Sequence, residues 1–190
     1  MKSRLLTGAL LCCFAQGAAA NEFQDAMEAF AKEHVLAWIS DPMFIAAIRS
    51  QNETTADYDQ TQIDELDIIW RTQVGSTDAE LIQDIMVSPT STRLREQVEA
   101  TGGAITEAFI MDQHGLNVAA SHVTSDYWQG DEAKFTETYG QGPGQVHYGD
   151  IELDQSSQTV QGQVSMTIID DETGEPIGAL TVGINLTALM

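Results

Sequence analysis

The chain has 190 residues, with 8 Lys+Arg against 29 Asp+Glu and a formal charge of −21 at pH 7. That length allows one compact domain and hardly two, and a hydrophobic share of 43% supports a buried core and excludes wholesale disorder. So acidic a surface repels phosphate backbones and anionic headgroups, which argues against nucleic-acid binding and electrostatic membrane docking.

Lys2 and Arg4 open the chain, an apolar run from Leu5 to Phe14 follows, and Ala18, Ala19 and Ala20 close the segment. Positive, apolar, then small is the order of a secretory leader, with cleavage expected after Ala20. The apolar run is shorter than the ~20 residues that span a bilayer. Cleavage removes Cys12 and Cys13, so the expected product has no disulfide, and it leaves six bases against the 29 acids. With no further segment apolar enough to cross a membrane, a free periplasmic or secreted protein is predicted, without direct membrane insertion. Residues 21–190 form the one predicted domain. The triplets at Asn52 and Asn185 spell glycosylation acceptors, a spelling too common to weigh.

Residues 21–103 read as helical. Phe23, Met27, Phe30, Ala31, Val35 and Trp38 make one apolar stripe. Asp41-Pro42 bends or restarts the helix, Met43 to Ile48 forms a short second one, and Gln51 to Asp59 reads as a polar loop. Ile63, Leu66, Ile69, Trp70 and Val74 mark another helix, stopped near Gly75. Thr77, Asp78 and Glu80 resemble a capping arrangement for a helix through Met86. Pro89 to Glu99 begins the last, closed by Gly102-Gly103.

From residue 104 to 190 the period becomes two. Ala104 to Asp112 and Leu116 to Ser121 read as strands joined by a hairpin at Gln113-His114-Gly115. Thr124 to Tyr139 is polar and aromatic, with one or two short helices expected. Gly140 to Gly144 is a loop and Val146 to Leu153 a third strand. Val160 to Ile169 and Gly178 to Leu186 are the clearest strands, joined by a turn at Asp170 to Pro176. This order predicts an α+β fold with an antiparallel sheet. Leu180, Val182, Ile184 and Leu186 alternate with Ala179, Thr181, Gly183 and Asn185; Val164, Met166 and Ile168 alternate with Gln163, Ser165, Thr167 and Ile169. The polar face is either solvated or the lining of a cavity beneath the 124–139 segment, where small side chains leave volume and hydroxyls orient a ligand.

The strings FIMDQHGLNVAASHVTSDYWQGDEAKF, Phe109 to Phe135, and GQVSMTIIDDETGEPIGALTVGINL, Gly162 to Leu186, resemble the Cache superfamily, PAS-like extracytoplasmic sensor domains of bacterial chemoreceptors and histidine kinases. The resemblance implies a five- or six-stranded antiparallel sheet with a long N-terminal helix behind it and a small-molecule pocket in front. Carried over residue by residue, it implies a ligand site at Tyr127, Trp128 and Asp131, with Ser121 at a strand end and Ser165 and Thr167 on the sheet. Aromatic rings enclose an aliphatic or cationic group, and a carboxylate pairs with an amine; the alternative is that the rings plug the core and Asp126 and Asp131 cap short helices. Amino-acid-sensing members often carry an aspartate on the last strand where Asn185 stands here. Members usually pass a signal to cytoplasmic modules, so a membrane receptor or histidine kinase is the expected partner of this chain.

No HExxH, paired-histidine or GxSxG pattern occurs, so no metal, cofactor or enzymatic activity is expected. Asp170-Asp171-Glu172 reads as a solvated acidic turn without the ligand spacing of a calcium loop. The surplus carboxylates keep the protein soluble and also draw cationic ligands such as polyamines. The leading expectation is a reversible small-molecule sensor; the rival is an interaction protein whose interior its own side chains fill.

Overall fold

A computed structural model describes residues 15–154 and 159–189. Residues 1–14 of the expected leader, with both cysteines, lie outside the described residues. Helix α1 (Ala15–Phe30) runs on through a π-helical turn, Ala31–Val35, to a 3-10 turn, Trp38–Ser40. Met27, Ala31, Val35 and Trp38 are all buried. The step of four from Ala31 to Val35 overshoots a 3.6-residue turn; the wider turn, in which Leu36 N–H donates to Ala31 O at 2.9 Å, keeps both residues on the inner face.

Asp41 caps α2 (Pro42–Thr55), its Oδ1 accepting from Met43 N–H at 2.9 Å. This helix corrects the expected loop at Gln51 to Asp59: it continues to Thr55. Its last turns look polar because Gln51, Asn52 and Thr55 bond to neighbouring strands and hairpins. Asp59 then opens α3 (Gln60–Gln73) with a reciprocal capping box to Gln62. At α4 (Glu80–Met86) the expected cap is corrected too. Ala79 stands at the cap without a side-chain bond, and Ser76 Oγ instead accepts from Asp78 N–H at 3.1 Å. Ser88 caps α5 (Pro89–Ala100) by accepting from Ser91 N–H at 3.0 Å.

Among the described residues six strands follow: β1 (Ile105–Met111), β2 (Asn117–Ala120), β3 (Val146–Tyr148), β4 (Glu152–Asp154), β5 (Thr159–Ile169) and β6 (Pro176–Asn185), with α6 (Ala133–Thr136) between β2 and β3. They form one antiparallel sheet in the order β2-β1-β6-β5-β3, and β4 pairs with another stretch of β5. The architecture is therefore α+β, with an antiparallel sheet of six strands. The expected third strand is divided in two at Gly149 to Ile151, where Gly149 N–H donates to Gln163 O at 2.8 Å.

The back of the sheet carries the main core. Val164, Met166, Ile168, Leu180, Val182 and Ile184 pack there with Met27, Ala31 and Val35, with Phe44, Ile45 and Ile48 of α2, and with Leu94 and Val98 of α5. A Cβ at Gly162 would stand 2.5 Å from Met27 Sδ, so a side chain there would make the Met27 side chain shift. At the β1–β2 hairpin, Gly115 has φ +84°, and a Cβ there would come within 2.6 Å of the Gly130 backbone.

The polar edge of α2 ties the hairpins down. Arg49 donates to Asp170 through Nε at 2.6 Å and Nη2 at 2.7 Å, and reaches Asp171 at 2.7 Å and Glu172 at 3.0 Å. The acidic turn is gathered onto one guanidinium, with Asp170 buried and Asp171 and Glu172 exposed as the expected solvated turn has them. Gln51 and Thr55 donate to the fully buried Asp112, and Asn52 donates to Ile177 O at 2.8 Å while accepting from Gln113 N–H at 2.9 Å. Asn52 is therefore a structural crosslink.

Arg49 holds the Asp170 carboxyl well below the usual carboxylate range, helped by N–H donors from Thr173 and Glu172. A depressed folded-state value contributes stability that is complete above the unfolded value near 3.9 and is lost as pH falls through the lower folded one. Thermal melts between pH 7 and pH 2 should show a loss of stability below pH 4 that is clearly smaller in Arg49→Met, which should also melt lower at pH 7.

Candidate functional site

The residues following β2 wrap over the front of the sheet and divide its surface into a packed part and an open part. In the packed part Phe135 enters a cluster with Phe109, Met111, Ala120 and Ala179, and Tyr139 stacks on Phe135 with ring centres 5.1 Å apart. Ser165 and Thr181, both fully buried, share a hydrogen bond of 2.9 Å, and Thr167 Oγ1 donates to Gly142 O at 3.0 Å. Ser121 Oγ accepts from Ala108 N–H at 2.8 Å. In this part the polar face expected to line a cavity is covered, and its hydroxyls bond to one another or to backbone groups.

Tyr127 and Trp128 lie in a third cluster, beside the sheet. Tyr127 stacks on Trp70 of α3 at 5.3 Å, among Ile63, Ala79, Ile82 and Leu116. Burial, with the negative charge of Asp112 adding to it, raises the Tyr127 phenol pKa and keeps the ring neutral. Trp128 Nε1 donates to His114 O at 2.8 Å. Asp67, buried in α3, accepts the backbone N–H groups of both aromatic residues at 2.9 and 3.1 Å through one oxygen. Its other oxygen pairs with Arg71 at 2.7 Å, and Arg71 reaches Asp126 at 2.8 Å. Asp131 is exposed.

The open part is a cleft of about 490 Å³ between the start of α6, β1 and the β3–β5 edge, walled in part by Glu107, Lys134, His147, Tyr148, Gln161 and Gln163. None of the six site residues expected from the sequence lines it. Lys134 is only 15% exposed; its Nζ lies 2.9 Å from Glu132, donates to Gln129 at 3.2 Å and sits 5.4 Å from the centre of the Phe109 ring. Glu107 Oε1 accepts from Gln163 Nε2 at 3.2 Å. Glu132 and Asp150 also line the wall, so three acidic residues stand there beside one lysine and His147. Glu107 and Gln163 were legible only as front-face positions of two separate strands. Pairing β1 and β5 on either side of β6 is what brings them together.

Asn185, where the resemblance has an aspartate, is turned to another use: its Oδ1 accepts from Thr187 and Ala188 N–H and caps the final turn. Among the described residues no group of three or more His, Cys, Asp or Glu is arranged to hold a metal ion. No described helix is long and apolar enough to cross a membrane.

No protein-family model matches the chain, and no curated protein does. Its structural neighbours are sensor domains of histidine kinases and chemoreceptors. The sensor domain of the Vibrio cholerae histidine kinase DctB is 17% identical with a TM-score of 0.45, the match covering 93% of this chain and 59% of that one. The ligand-binding domain of the Campylobacter jejuni chemoreceptor Tlp3, in complex with L-valine, is 12% identical with a TM-score of 0.39, covering 88% and 64%. That of the Pseudomonas aeruginosa amino-acid chemoreceptor PctC, in complex with GABA, is 9% identical with a TM-score of 0.41, covering 92% and 61%. This chain thus spans about three-fifths of the length of these neighbours.

Removing the Asp67 carboxylate strands two backbone donors, each costing on the order of 1 kcal/mol or more when left without a partner. Asp67→Ala should therefore lower stability by about 2 kcal/mol in urea titration. Hydrogen exchange at the Tyr127 and Trp128 amides should quicken more than exchange in β6.

Proposed function

We propose that this chain is an exported sensor module that binds a small polar molecule reversibly in the cleft beside Lys134 and reports it to a membrane receptor or histidine kinase. The leader-like segment 1–20 supports export to the periplasm or beyond. The observation that carries the binding reading is the cleft, whose volume lies within the usual range for small-molecule sites. Its wall bears Glu107, Glu132 and Asp150 against Lys134 alone, and Lys134 is already paired with Glu132. An excess of carboxylate in a partly sheltered cleft favours a ligand with a cationic centre, and the amides of Gln161 and Gln163 supply further polar contacts. No bond is made or broken in this reading. Binding would draw α6 toward the β3–β5 edge and bias the insertion between β2 and β3, residues 124–139, that Asp67 fastens to the helices.

A second reading, a protein that binds only macromolecular partners, is favoured by a different observation. The region beneath the insertion is filled by Phe109, Phe135 and Tyr139 rather than left open.

Thermal-shift and calorimetric titrations with amines, amino acids and organic acids separate the two, because a ligand selective for the folded state raises the melting temperature by mass action. Amine-bearing compounds should stabilise the protein. Glu107→Gln should weaken them about tenfold, as expected for losing one charge-assisted hydrogen bond. Flat melts across the panel at millimolar concentration would leave the interaction reading in place.

A further inference from the structure

We infer that Glu107 and Gln163, which meet across Gly183, are the specificity element of the cleft. They take the cationic end of a ligand as a primary ammonium or guanidinium group, rich in N–H donors, and discriminate against a quaternary ammonium of equal charge. The inference rests on the reading of the cleft as a ligand site and names the chemistry that this site selects.

The three residues stand in one row of the sheet. Gly183 of β6 is opposite Glu107 of β1 on one side and Gln163 of β5 on the other. All three belong to the front face, where Phe109, Thr181 and Ser165 lie two positions along the same strands. Strands separated by a third are roughly 10 Å apart, and a side chain on the middle strand ordinarily stands between their residues. Gly183 offers none. A Cβ there would lie 2.8 Å from Glu107 Cγ and 3.3 Å from Glu107 Oε1, so a side chain at this position would make Glu107 shift. In the space left over the middle strand, Gln163 Nε2 donates to Glu107 Oε1 at 3.2 Å. β1 also changes register between Ile105 and Glu107, at Thr106. Irregularities of this kind re-aim side chains and are frequent beside active sites.

The bond fixes the amide. Turning Gln163 over would set its oxygen against the carboxylate with no proton between them, so Oε1 is the atom left for a ligand. Among the described residues no other donor reaches the Glu107 carboxylate and none reaches Gln163 Oε1. Lys134, the lysine of the wall, is engaged by Glu132 and Gln129. A carboxylate and an amide oxygen joined in this way in the lining of the cleft form a pair of neighbouring acceptors. Such a pair favours a cation with two or more N–H groups, because each acceptor then takes a charge-assisted hydrogen bond. A quaternary ammonium has no proton to give and is held best by a cage of aromatic faces. Among the described residues the wall carries one phenol ring, Tyr148, and one imidazole, His147, too few for a cage.

Ethanolamine and choline form a matched probe pair, alike in charge and hydroxyethyl body, with N–H donors in one and none in the other. Putrescine and its hexamethyl bis-quaternary derivative form a second. Calorimetric titration of the purified protein should show the primary amine binding about tenfold more tightly than its quaternary counterpart, the value of one hydrogen bond to a charged group. Gln163→Met, which keeps the side-chain length and removes the acceptor, should abolish most of that ratio and leave the quaternary affinity unchanged. Gly183→Ala should lower the ratio too, by shifting Glu107. A merely structural role for either residue would move the melting temperature and leave the ratio where it is, and a ratio unchanged in both folded variants would overturn the assignment. Equal affinity within both pairs, or tighter quaternary binding, would overturn the specificity element and leave the cleft a ligand site. Failure of all four probes to bind at millimolar concentration would overturn the reading of the cleft along with it. The comparison on the unaltered protein decides the matter even where a variant does not fold.

Discussion

The last two turns of α2 are the constraint on which the other parts depend. Two hairpins, β1–β2 and β5–β6, are marginal structures by themselves in water. Arg49 holds the turn of one, Gln51 and Thr55 hold the buried Asp112 of the other, and Asn52 bonds to both β6 and the β1–β2 turn. On the same side of this helix, one to three turns earlier, Phe44, Ile45 and Ile48 enter the core. Apolar burial supplies the non-directional attraction; the polar edge supplies register, because each hydrogen bond is satisfied in only one alignment of helix and sheet.

A similar division of labour governs the front of the molecule. Asp67 does for the 124–128 segment what Asp112 does for the hairpin, offering a sheltered carboxylate to backbone N–H groups that have no strand partner. Once that segment is fastened to α3, the remainder of the insertion lies across β1 and β6, with Phe135 filling the space over Ala179. It stops short of the β3–β5 edge, and the cleft is what remains uncovered. Lys134 is held at its border by the Phe109 ring and two polar neighbours rather than released into solvent.

Much of this architecture was legible in the chain. Alternation along β5 and β6 identified the core face correctly, since Leu180, Val182 and Ile184 all lie against the helices. The long first helix and the limits of α5 followed from periodicity and from Pro89 and Gly102-Gly103. The failures share one cause: polar residues were read locally. Gln51 to Thr55 looked like a loop because their partners, Asp112 and Ile177, are more than fifty residues away. Tyr127 and Trp128, expected at a ligand site, lie against Trp70 and Asp67 of a distant helix, partners that no local pattern announces.

Composition, periodicity and turn residues were enough to establish an acidic α+β domain with helices first and an antiparallel sheet after, because those properties rest on interactions between residues close in sequence. The contents of the sheet's front face were not written there in any local pattern. Whether Ser165 and Thr167 line a void or bond to Thr181 and Gly142 depends on which strand lies beside which and on where the insertion comes to rest. Glu107, Lys134 and Gln163 converge for the same reason. A site assembled from three separate segments exists only once long-range packing has chosen their positions.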